Sequence, residues 1–331
     1  MKARLHNRII AIFIAIFAAA LFALPKNASA QTVSGFEFDS YSAVLYNNTN
    51  GLPTSEANAI VQSEDGYIFI GSYSGLTFYD GVSFTRFSAQ TGITSVVSLF
   101  IDKDDRLWIG TNDSGLVLYT NGEYTFYGRD AGLSSLSVRS ITQDDSGRII
   151  FATTEGLAYI NDDGKAVEID DPVVSGKYLK LLAKSFDGVI YGCTTDGVCF
   201  SLEDLKITSS FDSKKLTYGT ANCITPDPET HGRVLIGTTE SSVICGDIFN
   251  GMSDLRVYST SPHSNINAIC PDKAGAFWVC TDSGVGMLSG LGYYTPYSDL
   301  PMNNSVENVM TDYEGNLWFV SSRQGVMKVV G

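Results

Sequence analysis

The sequence predicts an all-β fold, a seven-bladed β-propeller of four-stranded antiparallel blades. Three observations predict it: a pattern of about 40 residues recurs seven times, each copy has two adjacent apolar positions, and the chain ends one strand short of a complete last copy. Four short strands with their turns need about 40 residues. One copy therefore corresponds to one four-stranded sheet.

The repeat is found by aligning the small residue that closes an apolar run, as in IGSYSGLTFYD at residues 70–80. Successive anchors are 39 to 45 residues apart. They are Gly71, Gly110, Ala152, Gly192, Gly237, Cys280 and Ser321. We expect one propeller domain over residues 31–331, with one blade near each anchor.

The two residues before every anchor are apolar. Because neighbouring residues of a strand point to opposite faces, two adjacent apolar columns predict a strand that is buried on both sides. Radial stacking of blades buries both faces of each sheet. Residues 36–47 (FEFDSYSAVLYN) have the pattern of a fourth strand, whereas the seventh copy stops after its third. We therefore expect the N-terminal strand to complete the last blade and close the ring.

The first 30 residues differ from the rest of the chain. Basic residues precede a 16-residue apolar run that ends in PKNASA. This is typical of a secretory signal peptide cleaved after Ala30. The alternative is an uncleaved anchor, although the run is shorter than the ~20 residues that span a bilayer. Either way we expect an exported protein, periplasmic or extracellular, with or without a membrane tether.

The chain is acidic, with a formal charge of −14. Removal of residues 1–30 takes away four basic residues and no acid, which leaves −18. Such a surface repels nucleic acid, so we expect no nucleic-acid partner. Neutral ligands, cations and basic partners remain open.

Three segments carry a family resemblance: GLPTSEANAIVQSEDGYIFIGSYSGLTFYDG, GITSVVSLFIDKDDRLWIGTNDSGLVLYTNG and NNSVENVMTDYEGNLWFVSSRQGVMKV. They resemble the two-component regulator propeller repeat, with its G-L-P, N-x-V-x-x-I, D-x-x-G, W-I-G-T and G-L elements. The resemblance implies the extracytoplasmic sensor domain of a bacterial signalling receptor that responds to a small molecule or an oligosaccharide. It also implies a partner: either a kinase or cyclase domain of the same product or a separate membrane signalling protein.

The polar tips between each anchor and the following Gly-aliphatic pair vary among the copies, whereas the surrounding pattern does not. Loops on a rigid scaffold commonly carry binding, so we expect the tips to converge on one rim and bind a ligand there. The alternative is that they are solvated turns. The candidate ligand-binding residues are Tyr73, Asn112, Asp113, Glu155, Asp196, Glu240, Asp282 and Arg323.

Other residue sets have structural explanations that we favour. Trp108, Trp278 and Trp318 could stack on sugars, but their place in a doubly buried strand indicates core packing. The Asp-x-x-Gly turns, such as residues 312–315, could bind calcium, but aspartate also caps its own turn. The six cysteines, all within residues 193–280, could form disulfides across hairpins, but buried free thiols explain them as well.

Catalytic motifs are scarce. Of the three histidines, His6 lies in the predicted signal peptide, and His231 and His263 are in no motif of metal ligands or nucleophile activation. We therefore expect a non-catalytic sensor with no cofactor and no metal ion. A protein-interaction scaffold and a propeller lyase or hydrolase are the alternatives.

Overall fold

The computed structural model describes residues 42–272 and 275–331 of the chain. These residues form seven sheets, each with four antiparallel strands. The predicted seven-bladed β-propeller is confirmed. The predicted signal peptide and residues 31–41 lie outside the described residues. In the described ranges, no helix combines the length and apolarity needed to cross a membrane.

The strands follow one another in chain order from the inner to the outer edge of each blade, except that the first strand of the chain forms the outer edge of the last blade. The first strand, β1 (Ser42–Tyr46), belongs to the last blade. Blade 1 contains β2 (Ala59–Gln62), β3 (Ile68–Ser72), β4 (Gly75–Tyr79) and β5 (Phe84–Arg86). Blade 2 contains β6 (Val96–Ile101), β7 (Leu107–Thr111), β8 (Leu116–Thr120) and β9 (Glu123–Tyr127). Blade 3 contains β10 (Val138–Gln143), β11 (Ile149–Thr153), β12 (Leu157–Ile160) and β13 (Ala166–Glu168).

The remaining blades have the same order. Blade 4 contains β14 (Leu179–Lys184), β15 (Ile190–Thr194), β16 (Val198–Glu203) and β17 (Lys206–Asp212). Blade 5 contains β18 (Ala221–Pro226), β19 (Arg233–Thr238), β20 (Ser242–Asp247) and β21 (Ser253–Ser259). Blade 6 contains β22 (Ile266–Pro271), β23 (Phe277–Thr281), β24 (Gly284–Leu288) and β25 (Tyr294–Pro296). Blade 7 contains β26 (Val306–Thr311), β27 (Leu317–Ser321) and β28 (Gly325–Val330), completed by β1. Short 3₁₀ turns lie at Ala89–Thr91, Arg129–Ala131, Ser213–Lys215 and Ile248–Asn250.

The ring closes as predicted, because β1 pairs antiparallel with β28 from Ser42 opposite Val330 to Tyr46 opposite Val326. The ring of Tyr46 stacks on Trp318 with centroids 6.3 Å apart. Gly325 turns the chain from β27 to β28 at φ +92°, and a Cβ there would lie 2.3 Å from the Tyr46 carbonyl oxygen. Glycine is therefore required on both conformational and steric grounds where the last hairpin meets the closing strand.

Apolar clusters lie between adjacent blades rather than within single blades. One cluster joins Ile60 and Ile70 of blade 1 to Trp318 and Val320 of blade 7. Gly110 shows how closely the blades approach, since a Cβ there would lie 2.5 Å from the Val138 carbonyl oxygen of the next blade. The anchor positions are small because the neighbouring inner strand passes directly over them.

The strand register corrects two of the seven anchors by one residue. In most blades the inner strand has a one-residue shift in pairing register near its start, and the anchor pairs with the first residue after that shift. Gly110, for example, pairs with Ser98. The residues in that position are Cys193 in blade 4 and Val320 in blade 7, instead of Gly192 and Ser321. Since these strands are buried on both faces, a slip of one residue leaves the apolar pattern intact, so that pattern alone does not reveal it.

The Asp-x-x-Gly turn of blade 7 is structural, and its carboxylate is occupied by the protein. Asp312 Oδ1 accepts hydrogen bonds from the backbone N–H groups of Glu314 and Asn316, at 3.0 and 2.8 Å. Its Oδ2 accepts from Asn316 Nδ2 at 2.9 Å and from Trp318 Nε1 at 2.8 Å. Asp102 holds the turn of blade 2 and Trp108 in the same way. The three tryptophans are at most 3% exposed, so the core interpretation is confirmed.

The six cysteines are free thiols, as favoured from the sequence. Five are buried, and Cys270 is half-buried. Cys193 and Cys199 are opposite each other on β15 and β16. Burial raises the pKa of the Cys193 thiol to about 12 and that of Cys270 to about 11. Both thiols are therefore protonated at neutral pH.

Candidate functional site

The inner strands begin at one rim of the propeller, and an extra residue lies at that end of six of them. The register shifts by one residue there in blades 2 to 7, which leaves a single residue unpaired. Such a bulge redirects a side chain out of the regular strand. Asn58, directly before β2, is in the same position in blade 1. We call these seven residues the mouth ring: Asn58, Val97, Arg139, Lys180, Asn222, Asn267 and Glu307.

All seven mouth-ring residues line one cavity of about 380 Å³ at the start of the inner strands. Tyr73, Tyr178 and Ser322 extend its wall. We call this cavity the channel mouth. It presents amide, ammonium, guanidinium, carboxylate, hydroxyl and aromatic groups to one space, which is a composition suited to holding a polar ligand.

The three asparagines of the mouth ring bind the backbone of the next blade. Asn58 Nδ2 donates to the Val96 carbonyl at 3.0 Å, and Asn222 Nδ2 donates to the Ile266 carbonyl at 2.8 Å. Asn267 Nδ2 donates to the Val306 carbonyl at 3.0 Å. Each acceptor directly precedes the next mouth-ring residue. The asparagines therefore satisfy carbonyl groups at the bulges and tie adjacent blades together.

The charged residues of the mouth ring have a different role, because they bind side chains and keep unused hydrogen-bonding groups. Arg139 Nη1 donates to Asn112 Oδ1 at 3.3 Å, and its guanidinium lies 5.7 Å from the centre of the Tyr178 ring. Lys180 Nζ donates to Asn222 Oδ1. A guanidinium has five donors and an ammonium has three, so each cation has donors left for another group.

Glu307 is the anion of the mouth ring. The hydroxyl groups of Ser305 and Ser322 donate to its Oε1, at 2.9 and 2.6 Å. Among the described residues no donor contacts its Oε2. The two serines fix the carboxylate and leave one oxygen directed to other groups.

The predicted tip residues flank this rim. Backbone bonds hold the tips to residues two positions before the mouth ring, as between Asn112 N and Ser95 O at 2.9 Å or Thr195 N and Tyr178 O at 2.8 Å. Tyr73 lines the channel mouth directly. Asn112 accepts from Arg139, and Asp282 Oδ1 accepts from Asn267 Nδ2 at 2.9 Å. The structure thus brings these three predicted residues to the mouth or to its ring.

The other five candidates belong to the tips but do not line the channel mouth. Asp113 accepts a hydrogen bond from Ser114, and Asp196 forms an ion pair with Lys177 at 3.1 Å. Hydrogen bonds from Thr194 and Lys177 lower the pKa of Asp196. Exposed side chains also occur at Glu155, Glu240 and Arg323.

Apart from Tyr73, sequence reasoning missed the residues that form the mouth, although a signal was present. In blade 1 the mouth-ring residue Asn58 lies 13 residues before the anchor Gly71. When the corrected anchors are used, the mouth-ring residue lies 13 residues before the anchor in every blade except blade 5. The position is polar in six of seven copies, within a strand that is otherwise mainly apolar, as in VRSI or LKLL. A recurrent polar position in a buried strand indicates a bulge or an exposed lining.

In the described ranges, no group of three or more His, Cys, Asp or Glu side chains is placed to hold a metal ion. His231 bonds to Asp187 and stacks on Phe249, and His263 is buried against Tyr294. Burial lowers the pKa of His263. Neither histidine lines the channel mouth.

Comparison with known proteins confirms the resemblance to the repeat family. Residues 92–113 and 260–283 match the family described as two component regulator propeller. No curated protein matches the chain in sequence.

Solved structures share the fold. A catalytically inactive histidine-to-alanine variant of virginiamycin B lyase from Staphylococcus aureus, crystallised with quinupristin, is 16% identical with a TM-score of 0.74. The alignment covers 88% of this chain and 99% of the lyase. The extracellular domain of a protein described as a hybrid two component system from B. thetaiotaomicron is 19% identical with a TM-score of 0.73. That alignment covers 86% of this chain and 40% of the other. At these identities, the similarities show the fold alone.

Proposed function

We propose that this chain is the ligand-sensing propeller of an exported bacterial signalling receptor of the two-component or diguanylate cyclase class, and that it binds a small or oligomeric ligand, carbohydrates included, at the channel mouth. The observation that carries the proposal is the mouth ring. Seven equivalent backbone positions present five kinds of side chain to one cavity, and three of these side chains retain unused hydrogen-bonding capacity. Such a constellation on a rigid scaffold suits selective binding.

The family match and the structural similarity to an extracellular two-component domain support the signalling role. The apolar segment before residue 31 supports export to the periplasm or the cell exterior. In this proposal the propeller is a non-catalytic module, and a kinase or cyclase domain, or a membrane signalling protein, reads its ligand state.

Thermal-shift screening of the protein against carbohydrates and small metabolites tests the proposal. A ligand that binds the folded state raises the melting temperature in proportion to its saturation. The shift should disappear in Tyr73→Ala and Tyr178→Ala and persist in Tyr313→Ala, a control at the opposite rim whose tyrosine is 67% exposed. If no compound of the library raises the melting temperature, or if Tyr313→Ala abolishes the shift, the result would count against binding at the channel mouth.

Lyase activity is the second candidate, since the lyase similarity extends over nearly the whole of that enzyme. The known inactive variant replaces a histidine, whereas His231 and His263 of this chain lie away from the channel mouth. We therefore expect quinupristin to remain intact after incubation with the protein, as followed by mass spectrometry. Cleavage that depends on His231 or His263 would favour the enzyme instead.

A further inference from the structure

The cations of the mouth ring lie in adjacent blades, Arg139 at the start of β10 and Lys180 at the start of β14. Among the described residues, neither has a carboxylate within 4.0 Å. Arg106, Arg148, Lys177, Lys184 and Arg233 each form an ion pair with an aspartate, whereas most other basic side chains of the described residues form none.

Arg139 and Lys180 differ from the other unpaired cations because both line one cavity, in a chain that has 36 acidic and 22 basic residues. In so acidic a protein, two neighbouring cations that contact only amide oxygens and an aromatic ring concentrate positive potential in one concave place. Arginine in particular matches the planar geometry of a carboxylate through paired N–H donors. Tyr178 holds the guanidinium plane in position, which reduces the conformational freedom that a ligand would have to remove.

The anion of the mouth ring is on the opposite side. Blade 7, which carries Glu307, is three blades away from blade 3 in one direction and from blade 4 in the other. The mouth is therefore polarised, with two cations facing one carboxylate across the channel. The Oε2 atom of Glu307 can accept a hydrogen bond from a hydroxyl or ammonium group.

We propose that the channel mouth selects a carboxylate-bearing small molecule, whose carboxylate binds between Arg139 and Lys180 and whose hydroxyl or ammonium group donates to Glu307. This inference rests on the proposed function and names the ligand class for the same site. It also reverses what net charge alone indicates, since a strongly acidic surface disfavours anions. The local arrangement at the mouth decides the selectivity.

Isothermal titration calorimetry with matched pairs tests the ligand class. The pairs are D-glucuronate with D-glucose, D-galacturonate with D-galactose, and L-glutamate with its γ-methyl ester and α-amide. One member of each sugar pair lacks the carboxylate, and the glutamate derivatives remove each carboxylate in turn. We expect a uronate to bind at least tenfold more tightly than its neutral sugar, or glutamate to bind at least tenfold more tightly than the derivative that lacks the recognised carboxylate. Uronates alone would identify an acidic sugar as the source of the carboxylate, and glutamate alone would identify an amino acid.

Variants of the same inner strand provide the matched control. Arg139→Gln and Lys180→Gln should each weaken binding of that ligand roughly 10- to 100-fold, since each removes a charged hydrogen bond. Lys180→Arg should keep affinity within a few fold. Lys184→Gln changes a lysine at the other end of β14, where it pairs with Asp145 at 2.6 Å, and should leave affinity unchanged. A thermal unfolding curve for each variant verifies that it is folded.

Two results would overturn the inference. Neutral partners that bind as tightly as the carboxylates, or equal losses in Lys180→Gln and Lys184→Gln, would show that the cations do not select the ligand. If neutral library compounds still bind at the mouth, the proposed function stands and only the ligand class is wrong. If no compound of either charge binds, both are wrong.

Discussion

Asp312 at one rim of the propeller and the charged residues of the mouth ring at the other differ in how completely the protein satisfies their hydrogen-bonding groups. At the rim where the inner strands end, the carboxylate of Asp312 accepts four hydrogen bonds from its own turn and from Trp318. At the channel mouth, Glu307 has hydroxyl donors on one oxygen only, and Arg139 and Lys180 contact no carboxylate among the described residues. A saturated group builds the blade, whereas a group with unused capacity is available to a ligand.

The same contrast recurs within the mouth ring itself. Asn58, Asn222 and Asn267 occupy the same backbone position as the three charged residues, yet their amides bind carbonyl groups of the next blade. One structural position therefore serves two purposes, depending on whether the side chain reaches backbone or only other side chains. The repeat therefore determines where a mouth-ring residue lies, and the contacts of its side chain determine whether it supports the fold or can bind a ligand.

Replacing a saturated carboxylate should have the largest effect on stability. Asp312→Asn keeps the shape but places an amide N–H₂ against donors, which leaves Trp318 Nε1 or a turn N–H without an acceptor. We expect a loss of about 3 kcal/mol in the free energy of unfolding at pH 7, from loss of hydrogen bonds to a charged, buried acceptor. Urea denaturation measures it, and Glu307→Gln is the control, with a change below about 0.5 kcal/mol. Equal losses in the two variants would remove the distinction between the rims.

The loss of stability in Asp312→Asn should depend on pH, and the shifted pKa of Asp312 determines the direction. Burial would raise the pKa of Asp312, but hydrogen bonds from Trp318 and Asn316 outweigh it and lower the pKa. The stabilisation is thus present above the ordinary aspartate pKa of roughly 3.9 and is lost as pH falls through the lower pKa of the folded state. The difference between wild type and Asp312→Asn in urea should therefore narrow below about pH 4. A difference that stays constant into that range would show that the charge of Asp312 is not the cause.

The mouth-ring asparagines should have the next largest effect. Asn222→Ala leaves the Ile266 carbonyl without its donor at a site where the asparagine is only 7% exposed. An unsatisfied buried polar group costs about 1 to 3 kcal/mol. Chemical denaturation of Asn222→Ala beside Asn308→Ala, whose asparagine is an exposed neighbour of the ring, gives the comparison. If both substitutions lower the free energy of unfolding by the same amount, the interblade hydrogen bond of Asn222 does not stabilise the fold measurably.

The cations of the mouth should matter least to the fold. Arg139→Gln and Lys180→Gln should change the free energy of unfolding by less than about 0.5 kcal/mol, because each loses a hydrogen bond to an amide side chain and no ion pair. Arg148→Gln, which loses contacts to Asp144 and Asp204, should cost more. A cost at Arg139 as large as that at Arg148 would mean that Arg139 supports the blades.

The thiols should show no measurable effect of redox conditions on stability. The six cysteines are free, and burial raises the pKa of Cys193 to about 12. A reductant should leave the melting temperature unchanged, and a thiol reagent should react slowly until the protein is unfolded, with Cys270 first because it is half-buried. A melting temperature that falls on reduction would reveal a disulfide.

Most of the fold could be predicted from the sequence because blades repeat and repetition makes a pattern visible. The anchors located every blade, and the strand-like segment before Asn47 predicted closure through β1. The one-residue errors at Gly192 and Ser321, where the structure has Cys193 and Val320, have a physical origin. A strand buried on both faces has no alternation of polar and apolar residues, so its register depends on contacts with its neighbours.

The candidate site could be predicted only in part. Variation among the tips indicated the rim at which the channel mouth lies, and Tyr73 lines that mouth. The sequence analysis missed Arg139, Lys180 and Glu307 because they lie within inner strands, whose mainly apolar pattern indicates a structural role. Their exposure arises from bulges, and the different role of Asn222 arises from a carbonyl 44 residues further along the chain. Both features depend on how blades meet.

The most direct test compares two triple variants of the mouth ring by urea denaturation. The asparagine variant combines Asn58→Ala, Asn222→Ala and Asn267→Ala. The charged variant combines Arg139→Gln, Lys180→Gln and Glu307→Gln. The account predicts that the asparagine variant loses about 3 kcal/mol or more in the free energy of unfolding, while the charged variant stays within about 1 kcal/mol of wild type. Equal losses, or a larger loss in the charged variant, would contradict the claim that the charged residues of the channel mouth are free of the fold and available for a ligand.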